Sequence, residues 1–237
     1  MSTVGKLLKS YSFLCGLSGA QPVGPLVQAA DGNFYGTTQA GGGGGGTVFK
    51  MGSDVRPSVL YSFGAAGPDD GQEPLAGLIQ ATEGNLYGTT LQGGSAGFGT
   101  LFQISTSGAY QLLFSFTAPI GESPFAGLLQ HTNGLLYGTT TTSGANGFGA
   151  LYSLDMGLGP FITFVQSTGK VGRATQILGQ GLTGTTGVTF NAVAATSFKV
   201  LADTYLVAVV PSGATTGPVV VTTPSGTLTS NKNFVVK

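Results

Sequence analysis

The sequence predicts an all-β protein in two parts, and three observations carry that prediction. One unit of about fifty residues recurs three times between residues 22 and 156, each copy holding short apolar stretches bounded by Gly, Asn or Asp turns. Charged residues make up 8% of the 237, against roughly 25% in an average soluble domain, so the helix formers Glu, Lys and Arg are scarce while Thr, Val, Phe and Tyr are plentiful. The 42 Gly and 11 Pro recur in step with the repeat, which makes them turn residues of an ordered chain. With 41% hydrophobic residues, 15 Phe and 8 Tyr there is enough apolar surface for a packed core, so low charge does not mean disorder.

The elements follow in order. Leu7-Leu8-Lys9-Ser10-Tyr11-Ser12-Phe13 matches Val59-Leu60-Tyr61-Ser62-Phe63 and Leu112-Leu113-Phe114-Ser115-Phe116, so residues 7–13 are read as the last strand of a repeat. That reading is preferred to a signal peptide, which Lys6, Lys9 and the short apolar run after them only superficially suggest. Each unit then opens on a proline (Pro22, Pro74, Pro124) and an apolar run ending in Gln28, Gln80 or Gln130. A tight turn follows, then Phe/Leu-Tyr-Gly-Thr-Thr with its tyrosine at 35, 87 or 137. A glycine loop, a third short strand and a fourth ending in Ser-Phe complete the unit. Four short strands per unit is the arithmetic of a propeller blade, with units at about 22–63, 72–116 and 122–156. Three blades are too few to close a ring, so the repeats are expected to be a partial propeller, a propeller completed by a second chain through self-association of the open sheet ends, or a different packing.

If the four strands alternate in direction, the glycine loops 41–46, 93–97 and 143–147 share one end of the repeats with the connections carrying Asp69, Asp70, Glu73 and Glu122. His131 falls at the other end. From Gly157 the repeat stops. Strands are expected at 174–178, 187–191, 197–202, 205–210, 218–223 and 233–236, the spacing of a small β-sandwich over about 159–237.

The repeated Tyr-Gly-Thr-Thr core with its Gly-Gly loop resembles the bacterial tandem-repeat proteins named for Gloeobacter and Verrucomicrobia. That resemblance implies propeller-like repeats and an exported or cell-surface protein without an assigned activity. The C-terminal part, through Ile177-Leu178-Gly179-Gln180-Gly181-Leu182, Val188-Thr189-Phe190-Asn191 and Val210-Pro211-Ser212-Gly213, is similar to IPT/TIG immunoglobulin-like domains. Ala192 stands where that family usually has Gly after Phe-Asn. The similarity implies an extracellular spacer and interaction module.

Composition narrows the partners. A formal charge of zero argues against nucleic acid, and no apolar run of 18 residues exists to span a membrane as a helix. One His and one Cys are too few for the usual zinc sites, and Cys15 has no second cysteine to pair with inside the chain. Gly179-Gln180-Gly181-Leu182-Thr183-Gly184, with Asp203 some twenty residues on, matches a dinucleotide fingerprint, but a strand follows where the helix should be. Gly93-Gly94-Ser95-Ala96-Gly97 matches a nucleophile elbow, a pattern that chance supplies in a glycine-rich chain. Asp69, Asp70 and Glu73 form the densest acidic cluster, offering hard oxygen ligands for Ca²⁺ or simply a solvated turn. The tyrosines at 35, 87 and 137 are read as core, since all three occupy the same repeat position.

The leading expectation is a non-catalytic surface or secreted binding and adhesion module. Its loop end, through Ser95, Glu122 and Asn146, would contact a glycan or a surface protein. The alternative comes from another class, a calcium-dependent propeller-type hydrolase of a lactone or ester using Asp69, Asp70 and Glu73, and it rests on fold analogy.

Overall fold

The computed structural model describes residues 9–14, 16, 18–67 and 69–237, so Cys15 lies outside the described residues, as do residues 7 and 8 of the expected leading strand. The described residues form strands and turns, with no helix among them. They divide into two compact units, one of residues 1–130 and 136–154, the other of residues 131–135 and 155–237.

In the first unit each repeat is one antiparallel sheet in chain order. The first sheet runs Val27–Gln28, Phe34–Thr38, Thr47–Met51, Pro57–Ser62. The second runs Ile79–Gln80, Leu86–Thr90, Thr100–Ile104, Tyr110–Ser115. The third has three strands, Leu129–Gln130, Leu136–Thr139 and Leu151–Leu154. Residues 9–14 form no strand with any described partner. Registers repeat as well: Tyr35 faces Lys50 and Thr37 faces Val48, just as Tyr87 faces Gln103 and Thr89 faces Leu101.

Period-two alternation gives each sheet two apolar faces, and neighbouring sheets seal them. Tyr35, Val48 and Phe63 of the first repeat pack on Leu78, Phe102 and Ile104 of the second in one buried cluster. The closing aromatic-Ser-Phe of each repeat acts as a peg. Phe63 meets Phe102 edge-on at 5.1 Å, and Phe116 meets Tyr152 at 5.0 Å, each ring propped by its own partner, Tyr61 or Phe114. Phe13 meets Phe49 at 5.4 Å with Tyr11 against it at 5.2 Å, so residues 11–13 occupy the place of a preceding repeat's last strand. Edge-to-face aromatic pairs of this kind each contribute about 0.5–1.5 kcal/mol beyond area burial.

Polar side chains finish the junctions. Thr37 Oγ1 donates to Ala76 O at 3.0 Å and Thr89 Oγ1 to Pro124 O at 3.3 Å, each reaching into the next repeat. The glutamines that end the first strands of the second and third repeats reach back: Gln80 Oε1 accepts from Ala30 N and Gln130 Oε1 from Thr82 N. Inside the sheets the hydroxyls of Thr38 and Thr47 pair at 2.8 Å and those of Thr90 and Thr100 at 2.7 Å, satisfying buried groups beside the glycine loops.

In the second unit, Thr163–Phe164, Ala174–Leu178, Tyr205–Val209 and Phe198–Ala202 form one four-stranded sheet. Val193–Ala194, Gly187–Phe190, Val219–Thr223 and Gly226–Thr229 form another. Ile177, Leu206 and Ala208 from the first share one core with Val188, Phe190, Val219, Val221 and Leu228 from the second. A parallel pair, Thr168–Gly169 with Val235–Val236, brings the C-terminal strand in, and Phe234 fills the core beside Phe190 at 5.3 Å. The Gly226–Thr229 strand is absent from the expected set, because its hairpin turns on Pro224-Ser225, which reads as a loop when no partner strand is known.

Candidate ligand-binding face

The glycine loops are held by backbone. Gly45 N donates to Phe63 O, Glu73 N to Gly45 O and Gly94 N to Asp70 O, so loop and repeat-to-repeat connection are laced together. The same pattern returns one repeat later in Ser123 N to Phe98 O and Gly144 N to Ala118 O. Close approach explains the glycines that end these loops. A Cβ at Gly46, Gly99 or Gly149 would overlap the carbonyl oxygen of Thr38, Thr90 or Thr140, and all three have positive φ (94°, 98° and 89°). What the loops present to solvent is uncharged: Ser95 and Asn146 are exposed, and Phe148 is 92% exposed.

The acidic residues separate by burial. Asp69 is exposed, whereas Asp70 is only 6% exposed and its carboxylate points into the protein. It accepts from Tyr61 OH at 3.0 and 3.1 Å, Tyr110 OH at 3.3 Å, Gly64 N at 2.8 Å and its neighbour Gly71 N at 2.9 Å. The two tyrosine rings stack at 3.8 Å, one from each of the first two repeats, so Asp70 clamps that junction. Burial first, then the Asp70 charge, pushes both phenols above the ordinary tyrosine range, which keeps them neutral donors. Asp70 belongs to this junction alone, with Ser18 and Ile120 at the equivalent positions.

Glu73 is half-buried, and its Oε2 accepts from Gln39 Nε2 at 3.3 Å. Its backbone matters more, because Gln21, Glu73 and Ser123 share one repeat position and all have left-handed φ (59°, 57° and 56°). In each repeat the carbonyl of that residue accepts from the backbone beyond the second strand, from Gln39, Leu91 or Thr141. Glu122 is half-buried and its backbone bridges Thr142. Among the described residues no three His, Cys, Asp or Glu side chains come together in a way that could hold a metal ion. Both Asp70 oxygens already accept from protein donors, Oδ1 from Tyr61, Tyr110 and Gly71 and Oδ2 from Tyr61 and Gly64.

Other sequence candidates find structural places. Asp203 accepts from Gly181 N at 3.2 Å and Thr183 N at 3.1 Å, so the acid at dinucleotide-like spacing clasps its own glycine loop. Hydrogen bonds from Thr183 and then Gly181 lower its pKa. Ser95 N donates to Ser115 Oγ, which anchors the loop. His131 is half-buried in the turn after the Leu129–Gln130 strand, where its Nδ1 accepts from Asn133 N at 3.3 Å. Tyr35 and Tyr87 are fully buried, with hydroxyls donating at 2.7 Å to Asp31 and Glu83 in their own hairpin turns. Tyr137 is half-buried. The acceptors Asp31 and Glu83 and the junction clamp around Asp70 were missed by sequence reasoning. The first pair had a signal in the acid-Gly-Asn turn four residues before each tyrosine; the clamp had none, because its partners lie 9 and 40 residues away.

Sheets of one design, joined by the same threonine, glutamine and aromatic contacts, define an all-β tandem-repeat protein. A family model described as the Gloeobacter/Verrucomicrobia repeat matches residues 2–201, and the chain belongs to that family. The match runs past the three repeats into the second unit. No curated protein matches the chain.

Proposed function

We propose that this chain is a non-catalytic surface or secreted binding module. Its propeller-like repeats present the loop end to a neutral glycan, and the second unit, read as an IPT/TIG immunoglobulin-like sandwich, serves as a spacer. The observation that carries the reading is the chemistry of the loop end: neutral Ser95 and Asn146 and the bare ring of Phe148 stand on glycine loops whose backbones are already fixed. An aromatic face beside uncharged donors and acceptors suits a sugar, and rigid loops lose little entropy on binding. The membership in a repeat family and the two-sheet second unit support a scaffold role.

A glycan array probed with the full chain tests this. Binding is expected that survives EDTA and weakens about tenfold or more in Phe148→Ala, a loss of roughly 1.4 kcal/mol. Absence of any glycan signal, or calcium-dependent turnover of a chromogenic ester that disappears in Asp69→Ala, would overturn the reading in favour of another partner or of the hydrolase.

A further inference from the structure

Two faces of the described repeats are open, and the internal junctions show what each matches. On the rear face of the first sheet, Tyr35 is 0% exposed, Thr37 1% and Val48 0%, because the second repeat covers them. On the second sheet the equivalent Tyr87, Thr89 and Leu101 are each 1% exposed under the third repeat. At the same positions of the third sheet Tyr137 is half-buried, Thr139 is exposed and Leu151 is 75% exposed, and Leu129 on the neighbouring strand is 63% exposed. Among the described residues the third sheet also has no fourth strand, so Leu151–Leu154 is an edge.

The leading end shows the converse. Leu78 and Leu128, which plug into the repeat before them, are 5% and 6% exposed, whereas Leu26 at the same repeat position is 51% exposed. It borders an apolar groove with Phe13, Phe49, Met51, Val55 and Pro57. Equivalent residues of the second repeat, Phe102, Ile104 and Tyr110, are packed against Tyr35, Val48 and Phe63. Residues 9–13, which stand where a preceding fourth strand would end, have no strand partner among the described residues.

We propose that a second copy of this chain docks head to tail on the first. Its Leu26 face lies on the Leu129/Leu151 face, and its residues 9–13 run along the Leu151–Leu154 edge as the missing fourth strand. The contact reproduces the junction between the first and second repeats, with Leu26 in the role of Leu78. It buries both apolar faces and pairs the open edge, the two liabilities an unfinished sheet array carries. Because the two surfaces differ, the contact is heterologous, and two copies satisfy both ends only by closing reciprocally.

Sedimentation of the full chain, with Leu26→Asp, Leu151→Asp and their equimolar mixture, tests this. The unsubstituted chain is expected as a dimer and each variant alone as a monomer. The mixture is expected to regain a one-to-one complex, since one variant keeps an intact front and the other an intact rear. Circular dichroism checks that the variants fold, with Val23→Asp and Leu129→Asp as replacements for any that does not. A monomeric unsubstituted chain, a Leu26→Asp protein that still dimerises, or a mixture that stays monomeric would each overturn the proposal.

Discussion

Asp70 lies at the junction of the first two repeats and Tyr152 at that of the second and third, and their polar atoms are served differently. Asp70 satisfies two phenols and two backbone amides, so its removal strands several buried donors at once. Asp70→Ala is expected to lower stability by about 2–4 kcal/mol in urea unfolding, far more than exposed Asp69→Ala, at about 0.5 or less. Tyr152 stands where the other repeats have Phe49 and Phe102, and its buried hydroxyl has no hydrogen-bond partner among the described residues. Burial pushes that phenol above the ordinary range. Tyr152→Phe is therefore expected to stabilise the protein by about 1 kcal/mol, read as a higher urea midpoint with unchanged slope. A lower midpoint would mean that the hydroxyl has a function worth its cost.

At the scale of the element, the glycine loops show which part of the repeat is constrained. Within one loop, Gly97 has φ +80° and open space around its Cβ position, whereas Gly99 has φ +98° and the Thr90 carbonyl in the way. Gly97→Ala is expected to cost about 1 kcal/mol for the left-handed backbone alone. Gly99→Ala adds a steric overlap with backbone that cannot swing aside, and is expected to cost about 2–4 kcal/mol in the same unfolding assay. Both glycines recur in all three loops, as Gly44, Gly97 and Gly147 for the left-handed backbone alone and as Gly46, Gly99 and Gly149 for close approach as well. Each final glycine passes against the preceding strand.

For the whole molecule, position in the array decides what a residue contributes. Leu101 and Leu151 share one repeat position, yet the first is 1% exposed and the second 75%. Leu101→Ala is expected to cost about 2–5 kcal/mol, and Leu151→Ala about 0.5 or less in dilute protein, measured by thermal unfolding. Equal losses would show that the third sheet's face is covered in the monomer.

The sequence by itself determined the all-β class, the repeat period, the strand positions within each repeat and the burial of Tyr35 and Tyr87. These follow from local alternation and turn chemistry, repeated often enough to be unmistakable. Only the tertiary structure decided that Asp70 faces inward, that Glu73 serves through a left-handed backbone and that Asp203 clasps its own glycine loop. It alone showed that equivalent leucines end up buried or bare. The reason is physical: strand and turn preferences act between neighbours in sequence, whereas burial and polar pairing depend on which sheet lies alongside, and a repeat carries no mark of being the last one.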